Sequence, residues 1–136
     1  MDSIKVVCGI IYNEGKVFIC RRKMEKHLGG YWEFPGGKVE PNEDEKDSLA
    51  RELQEELDME VHIKDYFATS NHPYETINIE LIAYHCDLVH YSSKLTDHDK
   101  FEWVSPEDLL NWKLAPADVP LAKKLTNNNL KNSQFQ

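Results

Sequence analysis

The stretch GGKVEPNEDEKDSLARELQEELDM, residues 36–59, constrains this chain more than any other. Leu49, Leu53 and Leu57 recur at four-residue spacing, which makes the apolar stripe of a helix that must lie on something apolar. Beside that stripe Glu52, Glu55 and Glu56 fall at i, i+3 and i+4, so three carboxylates share one helix edge. Uncompensated, each pair repels by up to about 4 kcal/mol at roughly 4 Å and an effective dielectric near 20. A solvated acidic edge is the plainer account of such a helix. Two features favour a divalent-cation site instead: Arg51, which can pair with Glu55 at i+4, and the turn Pro35-Gly36-Gly37 immediately upstream. Glycine there lets backbone approach a ligand, and the Gly37 carbonyl is free to act as an oxygen donor. Asn42 reads as the N-cap with Glu45 in capping-box position, so the helix is expected over about 43–57.

The rest of the chain supplies the surface that helix needs. Its 136 residues fit one domain with a real core, expected over residues 1–126, with 127–136 an Asn- and Gln-rich disordered tail. A net charge of −8 argues against a nucleic-acid polymer as partner, though a bound metal can still draw in an anionic small molecule. No apolar run reaches the roughly 18 residues of a membrane span, and the N-terminus lacks the pattern of a signal peptide, so a cytoplasmic protein without membrane partners is expected. Cys8, Cys20 and Cys86 are odd in number and widely spaced, which reads as buried free thiols.

Residues 4–12 and 16–22 read as a hairpin turning at Asn13-Glu14-Gly15, with Val17 and Ile19 on one face of the second strand and Phe18 and Cys20 on the other. Tyr31 to Phe34 is a short aromatic strand. Residues 61–69 and 76–89 are longer strands, joined by a polar loop, SNHPYE. A charged loop, 91–100, precedes a short strand at 101–104. Ser105-Pro106 then opens a helix as N-cap and N1, and a last helix covers about 119–125. No histidines pair at metal spacing, and His72 and His98 read as surface residues. The three tryptophans read as core.

Gly37, Glu43, Arg51-Glu52, Leu53, Glu55-Glu56 and Met59 together resemble the Nudix box, G-x5-E-x7-R-E-U-x-E-E-x-G-U, where U is a bulky aliphatic. One position departs: Asp58 stands where the box has glycine, and Asp tolerates a left-handed conformation there at about 1 kcal/mol. WEFPGGKVEP, EWVSPEDL and LAPADVP extend the resemblance to the MutT-like branch of the Nudix hydrolases, especially members that act as CTP pyrophosphohydrolases or 8-oxo-dGTP diphosphatases.

The resemblance implies an α/β/α sandwich with a mixed β-sheet. It implies metal-dependent hydrolysis of a nucleoside triphosphate to the monophosphate and pyrophosphate, on (d)CTP-like or oxidised nucleotides, in the service of nucleotide-pool sanitation and DNA repair. The cofactor it implies is Mg2+, replaceable by Mn2+. Carried over by position, the Gly37 carbonyl, Glu52, Glu55, Glu56 and Asp97 would hold metal. Arg51 would orient the glutamates and Glu43 would support the loop–helix turn; Asp99 is a second choice for the acidic role of Asp97. Glu52 is the first choice of proton acceptor and Asp97 the second. Arg22 and Lys38 fall where this branch contacts phosphates, Phe34 falls in the substrate-binding set, and Asp118 where it reads the base. As an ionised acceptor Asp118 suits an exocyclic amine such as N4 of cytosine; protonated, it can also donate and admits oxidised purines. An N-cap for the last helix is its alternative role. A monomer or homodimer is expected. Hydrolysis of ADP-ribose or a dinucleoside polyphosphate, or nucleotide sensing without turnover, are the competing readings.

Overall fold

The computed structural model describes the backbone of residues 2–134 and the side chains of residues 2–129. Strands β1 (Asp2–Asn13) and β2 (Lys16–Arg22) form the expected hairpin, with Glu14 and Gly15 at positive φ of 52° and 78°, as a two-residue turn that matches strand twist requires. Next come β3 (Trp32–Glu33), β4 (Gly36–Lys38), α1 (Glu45–Leu57), β5 (Met59–Tyr74), β6 (Ile77–Tyr91) and β7 (His98–Val104). A 3-10 helix (Pro106–Asn111) and α2 (Val119–Gln134) complete the chain.

The strands form one seven-stranded mixed sheet in the order β3-β2-β1-β6-β5, with β4 paired to β1 and β7 to β2. Strand β1 is central: it runs antiparallel to β2 and β4 and parallel to β6, from Asp2 opposite Ile77 to Tyr12 opposite Asp87. Because side chains alternate along a strand, the sheet divides the core in two. Val7, Ile11, Phe18 and Cys20 meet Leu49, Leu53 and Leu57 of α1 on one side. Cys8, Ile10, Val17 and Ile19 meet Leu109, Leu121 and Leu125 on the other, under the 3-10 helix and α2. This is the layered α/β arrangement expected from the sequence, with the faces of β2 as read. All three leucines of the α1 stripe are at most 2% exposed. Burial of that kind stabilises by roughly 2–3 kcal/mol per side chain. The three cysteines are free and buried, as expected, and no helix among the described residues is long and apolar enough to cross a membrane.

Four local expectations need correction. Helix α1 starts at Glu45 with Asp44, not Asn42, as its cap residue, and no side chain caps it. Asn42 instead has φ 65°, and Glu45 accepts from the Tyr84 hydroxyl at 2.7 Å. Glu43 is drawn out of the helix because Arg51 and the Glu40 amide both bind its carboxylate. The SNHPYE segment is strand as far as Tyr74, since the β5–β6 hairpin continues to the tight turn at Glu75. Strand β7 begins at His98, which is 5% exposed and not a surface residue. Finally, α2 runs on to Gln134, so residues 127–134, expected as tail, are helical. Tertiary contacts override poor helix propensity there: the Thr126 hydroxyl donates to the Pro106 carbonyl at 2.9 Å and Asn129 to Glu107 at 2.9 Å. Residues 135 and 136 lie outside the described residues.

Candidate functional site

Arg51 gathers the carboxylates of α1. Its guanidinium forks onto Glu43 (Nε to Oε2 2.8 Å, Nη2 to Oε1 3.0 Å), while Nη1 donates to Glu52 Oε1 at 3.1 Å and Glu55 Oε2 at 3.2 Å. The Arg51 hydrogen bonds, helped by the Ser48 hydroxyl, pull the Glu43 carboxyl down to about 2. Nη2 also reaches the Lys38 carbonyl at 3.4 Å, tying the helix to β4. One arginine thus links the glycine turn, the loop before α1 and two carboxylates of the helix.

Gly37 explains why the turn must lack a side chain: a Cβ there would overlap the Glu52 carboxyl group. Burial raises the Glu52 pKa, against the lowering effect of Arg51. Glu56 stands one turn further along α1 from Glu52. Its Oε2 is buried without a hydrogen-bond partner among the described residues. Burial, and then the neighbouring Asp97 carboxylate, push Glu56 up to about 7. Asp97 is held low by Glu56 first, and Lys26 pairs with it at 3.2 Å. Asp99 is committed elsewhere, forked by Arg21 at 2.8 and 2.9 Å.

Among the described residues no three acidic, histidine or cysteine side chains already surround one point at ligating distance. Glu52 and Glu55 are collapsed onto Arg51, as expected of crowded carboxylates whose nearest positive charge is a guanidinium. Three observations nevertheless fit an oxygen-loving divalent cation: the side-chain-free cradle at Gly37 against Glu52, the orphaned Glu56 oxygen, and an all-oxygen donor set.

A cleft of about 590 Å³ opens beside this cluster. Arg22, Phe34, Gly37, Lys38 and Asp118 all line it, with apolar walls from Ile4, Val6 and Leu81. Glu52 adjoins it through Gly37, and neither Glu52 nor Glu55, Glu56 or Asp97 is itself in its lining. Asp118, 5% exposed, accepts a hydrogen bond from the Phe34 amide through Oδ2 at 2.9 Å. Burial, followed by the charge of Glu33, raises the Asp118 pKa well above the usual carboxylate range. Its carboxyl group serves β3–β4 rather than the start of α2, to which it contributes only a carbonyl accepting from the Ala122 amide. Arg22 is bound within the protein: Nε donates to the His27 carbonyl at 2.7 Å and Nη1 to Glu33 Oε2 at 3.3 Å.

Two residues of this region escape a reading of the sequence. Glu33 lines the cleft between Arg22 and Asp118. Its signal was a lone carboxylate between the buried aromatics Trp32 and Phe34. His98 donates through Nε2 to Glu33 Oε2 at 2.8 Å. Two flanking aspartates make it look solvated, and only the strand pairing of β7 with β2 reveals that it is buried.

The chain matches known proteins over almost its whole length. A family profile described as "NUDIX domain" covers residues 6–124. The CTP pyrophosphohydrolase of Escherichia coli strain K12 is 40% identical over 121 residues, spanning 89% of this chain and 90% of that protein. The 8-oxo-dGTP diphosphatase of Proteus vulgaris is 47% identical over 64 residues, 45% of this chain and 57% of that protein. The crystal structure of a MutT protein from Methanosarcina mazei Go1 superposes with a TM-score of 0.84 at 28% identity, covering 94% of this chain and 96% of the other.

Proposed function

The chain belongs to the NUDIX domain family, and from that membership we propose that it cleaves a nucleoside triphosphate to the monophosphate and pyrophosphate, with (d)CTP-like nucleotides first and 8-oxo-dGTP next. It is a Nudix hydrolase of nucleotides. The observation that carries the finer reading is that one cleft is lined both by Gly37 and Lys38, beside the carboxylates of α1, and by the buried Asp118. This supports a reading in which a phosphate chain and a base share a single groove.

In this reading the Gly37 carbonyl, Glu52, Glu55, Glu56 and Asp97 hold Mg2+, or Mn2+ in its place. The ion, when bound, neutralises the triphosphate and polarises its phosphoryl oxygens. Arg51 releases Glu52 and Glu55 to that role while keeping Glu43 and the Lys38 carbonyl, so the loop stays docked on the helix. Glu52 accepts the proton of the attacking water: burial has already raised its proton affinity, whereas Glu56 and Lys26 hold Asp97 low. Lys38 meets phosphate at the cleft wall, and Arg22 does so from its anchorage on His27 and Glu33.

Asp118 supplies base choice. Burial raises its pKa and so favours the protonated form, in which, with Oδ2 on the Phe34 amide, Oδ1 offers a ligand both a donor and an acceptor. The N3/N4 edge of cytosine presents the complementary pair. So does the O6/N7 edge of 8-oxoguanine, whose N7 carries hydrogen. Unmodified guanine presents two acceptors on that edge and is disfavoured. Three unpaired thiols suit a reducing compartment, and the cytoplasm is where this activity would be needed.

The test is a substrate panel with Mg2+: dCTP, 5-methyl-dCTP, 8-oxo-dGTP, dGTP, ADP-ribose and a dinucleoside polyphosphate, scored for pyrophosphate against orthophosphate. Pyrophosphate from dCTP or 8-oxo-dGTP is expected. Orthophosphate alone from the triphosphates, or preference for ADP-ribose, would overturn the proposal.

A further inference from the structure

His98 is the least solvent-exposed of the chain's charged-loop residues, and nothing about packing alone calls for an imidazole in its place. It is 5% exposed at the first position of β7, and its Nδ1 is buried with no partner among the described residues. An unpaired buried ring nitrogen is unfavourable, so an apolar side chain would fill this volume at less cost if filling were its only role. What the imidazole makes is one short hydrogen bond, from Nε2 to Glu33 Oε2 at 2.8 Å. The acceptor is the oxygen that also takes Arg22 Nη1 at 3.3 Å, so Nε2 carries the hydrogen.

We propose that His98 is a positioning residue for nucleotide recognition: it fixes the Glu33 carboxylate, and through it the Arg22 guanidinium, in the wall of the cleft. The proposal rests on the nucleotide-hydrolase reading of that cleft. His98 itself is absent from the lining, whereas Glu33 and Arg22 are part of it. The chain of contacts continues past Arg22, whose Nε is seated on the His27 carbonyl in the loop between β2 and β3. One buried ring therefore sets the direction of two side chains in the cleft lining.

Glu33 needs such restraint. It belongs to a strand of only two residues, directly before the Pro35-Gly36 turn, and it is close enough to Asp118 to act on that residue's ionisation. Held by His98 and Arg22, its Oε2 is saturated and Asp118 is left to the ligand. A role on the metal side is disfavoured by direction: Asp97, the preceding residue, turns to Glu56 and Lys26, while the His98 ring turns to Glu33.

The variants H98Q, H98N and H98L separate these roles, because a glutamine amide reaches the level of Nε2 and an asparagine amide only that of Nδ1. With H98N and H98L, KM for dCTP is expected to rise by about tenfold, and the ratio of kcat/KM for dCTP against 8-oxo-dGTP to change by about fivefold. The Mg2+ concentration for half-maximal rate should stay within about twofold, and H98Q should recover most of the loss. In an E33Q background, H98L should add little further. A readout independent of turnover is the Arg22 Nε–Hε resonance of the metal-free protein, which H98L should shift or broaden and H98Q preserve. A wild-type protein that turns over no nucleotide defeats the hydrolase reading, and the Arg22 resonance still decides the positioning. Equal behaviour of H98Q, H98N and H98L, or an H98L effect undiminished in E33Q, overturns the proposal. So does an effect confined to the Mg2+ requirement.

Discussion

At Gly37 a single hydrogen does what no other side chain can, since any Cβ would occupy the space of the Glu52 carboxyl group. The obstructing atoms are the far end of a flexible side chain, so Gly37→Ala is expected to fold normally and to displace Glu52. Loss of a correctly placed carboxylate should lower kcat/KM by at least about a hundredfold, while the thermal midpoint moves little. An active G37A variant would remove Glu52 from the site. Asp118 makes a second prediction of the same grain. When protonated, the form burial favours, its carboxyl group both donates and accepts beyond Phe34, whereas an asparagine whose oxygen holds the Phe34 amide can only donate. Asp118→Asn should therefore favour dGTP relative to dCTP and 8-oxo-dGTP by roughly tenfold, the equivalent of one hydrogen bond. Competition assays with paired nucleotides measure this directly, and an unchanged ranking would return Asp118 to a purely structural role on β3–β4.

Helix α1 shows what sequence patterning makes legible and where it stops. The leucine stripe, the edge of glutamates and the left-handed residue after the helix were all readable, because each is set by helical period or by a single backbone conformation. Asp58 indeed has φ 47° and ψ 48°, with its amide on the Gln54 carbonyl. Replacing it by glycine removes the cost of that conformation, about 1 kcal/mol, but also the bond from Gln54 Nε2 at 2.9 Å. Asp58→Gly is thus expected to leave stability within about 1 kcal/mol of the parent and activity unchanged, whereas Asp58→Val should be clearly less stable in urea titrations. The start of α1 was not legible. Asn42 and Glu45 satisfy a capping pattern locally, yet a residue eight positions on, Arg51, takes Glu43 out of the helix. The length of α2 was hidden for a similar reason: its asparagines argue against helix, and the contacts of Thr126 and Asn129 with the 3-10 segment are invisible until the chain is folded. His98 and Glu33 belong with these, since only the β2–β7 and β2–β3 pairings bring them together.

Across the whole molecule the ionisable groups sort into two sets with opposite dependence on pH. Glu43, Asp97 and Asp99 are held low, so their contributions to stability are present above the ordinary carboxylate range and fade as pH falls below it. Glu56, near 7, and the raised Asp118 and Glu52 act the other way. What they contribute is complete below about pH 4 and is lost as pH climbs through their folded values. The metal-free protein should therefore be most stable near pH 5 and lose thermal midpoint between pH 5 and 8. Mg2+ should oppose that loss, raising the midpoint more at pH 8 than at pH 6, because the cation competes with protons for Glu56. Thermal melts in chelator and in Mg2+ at the two pH values check this, and an equal Mg2+ effect at both would exclude Glu56 from the ligand set. The same global view bears on how the chain reaches this state. Strand β1 precedes the other described strands and lies at the centre of the sheet, and its parallel partner begins only at Ile77. A ribosome must release β6 before β1 can be enclosed, so the apolar run Val6–Ile11 waits unpaired on that side until about seventy further residues have emerged, the separation of Val6 from Ile77. Long-range closure of this kind is slow, so the exposed apolar face of β1 is expected to need protection until β6 has joined it.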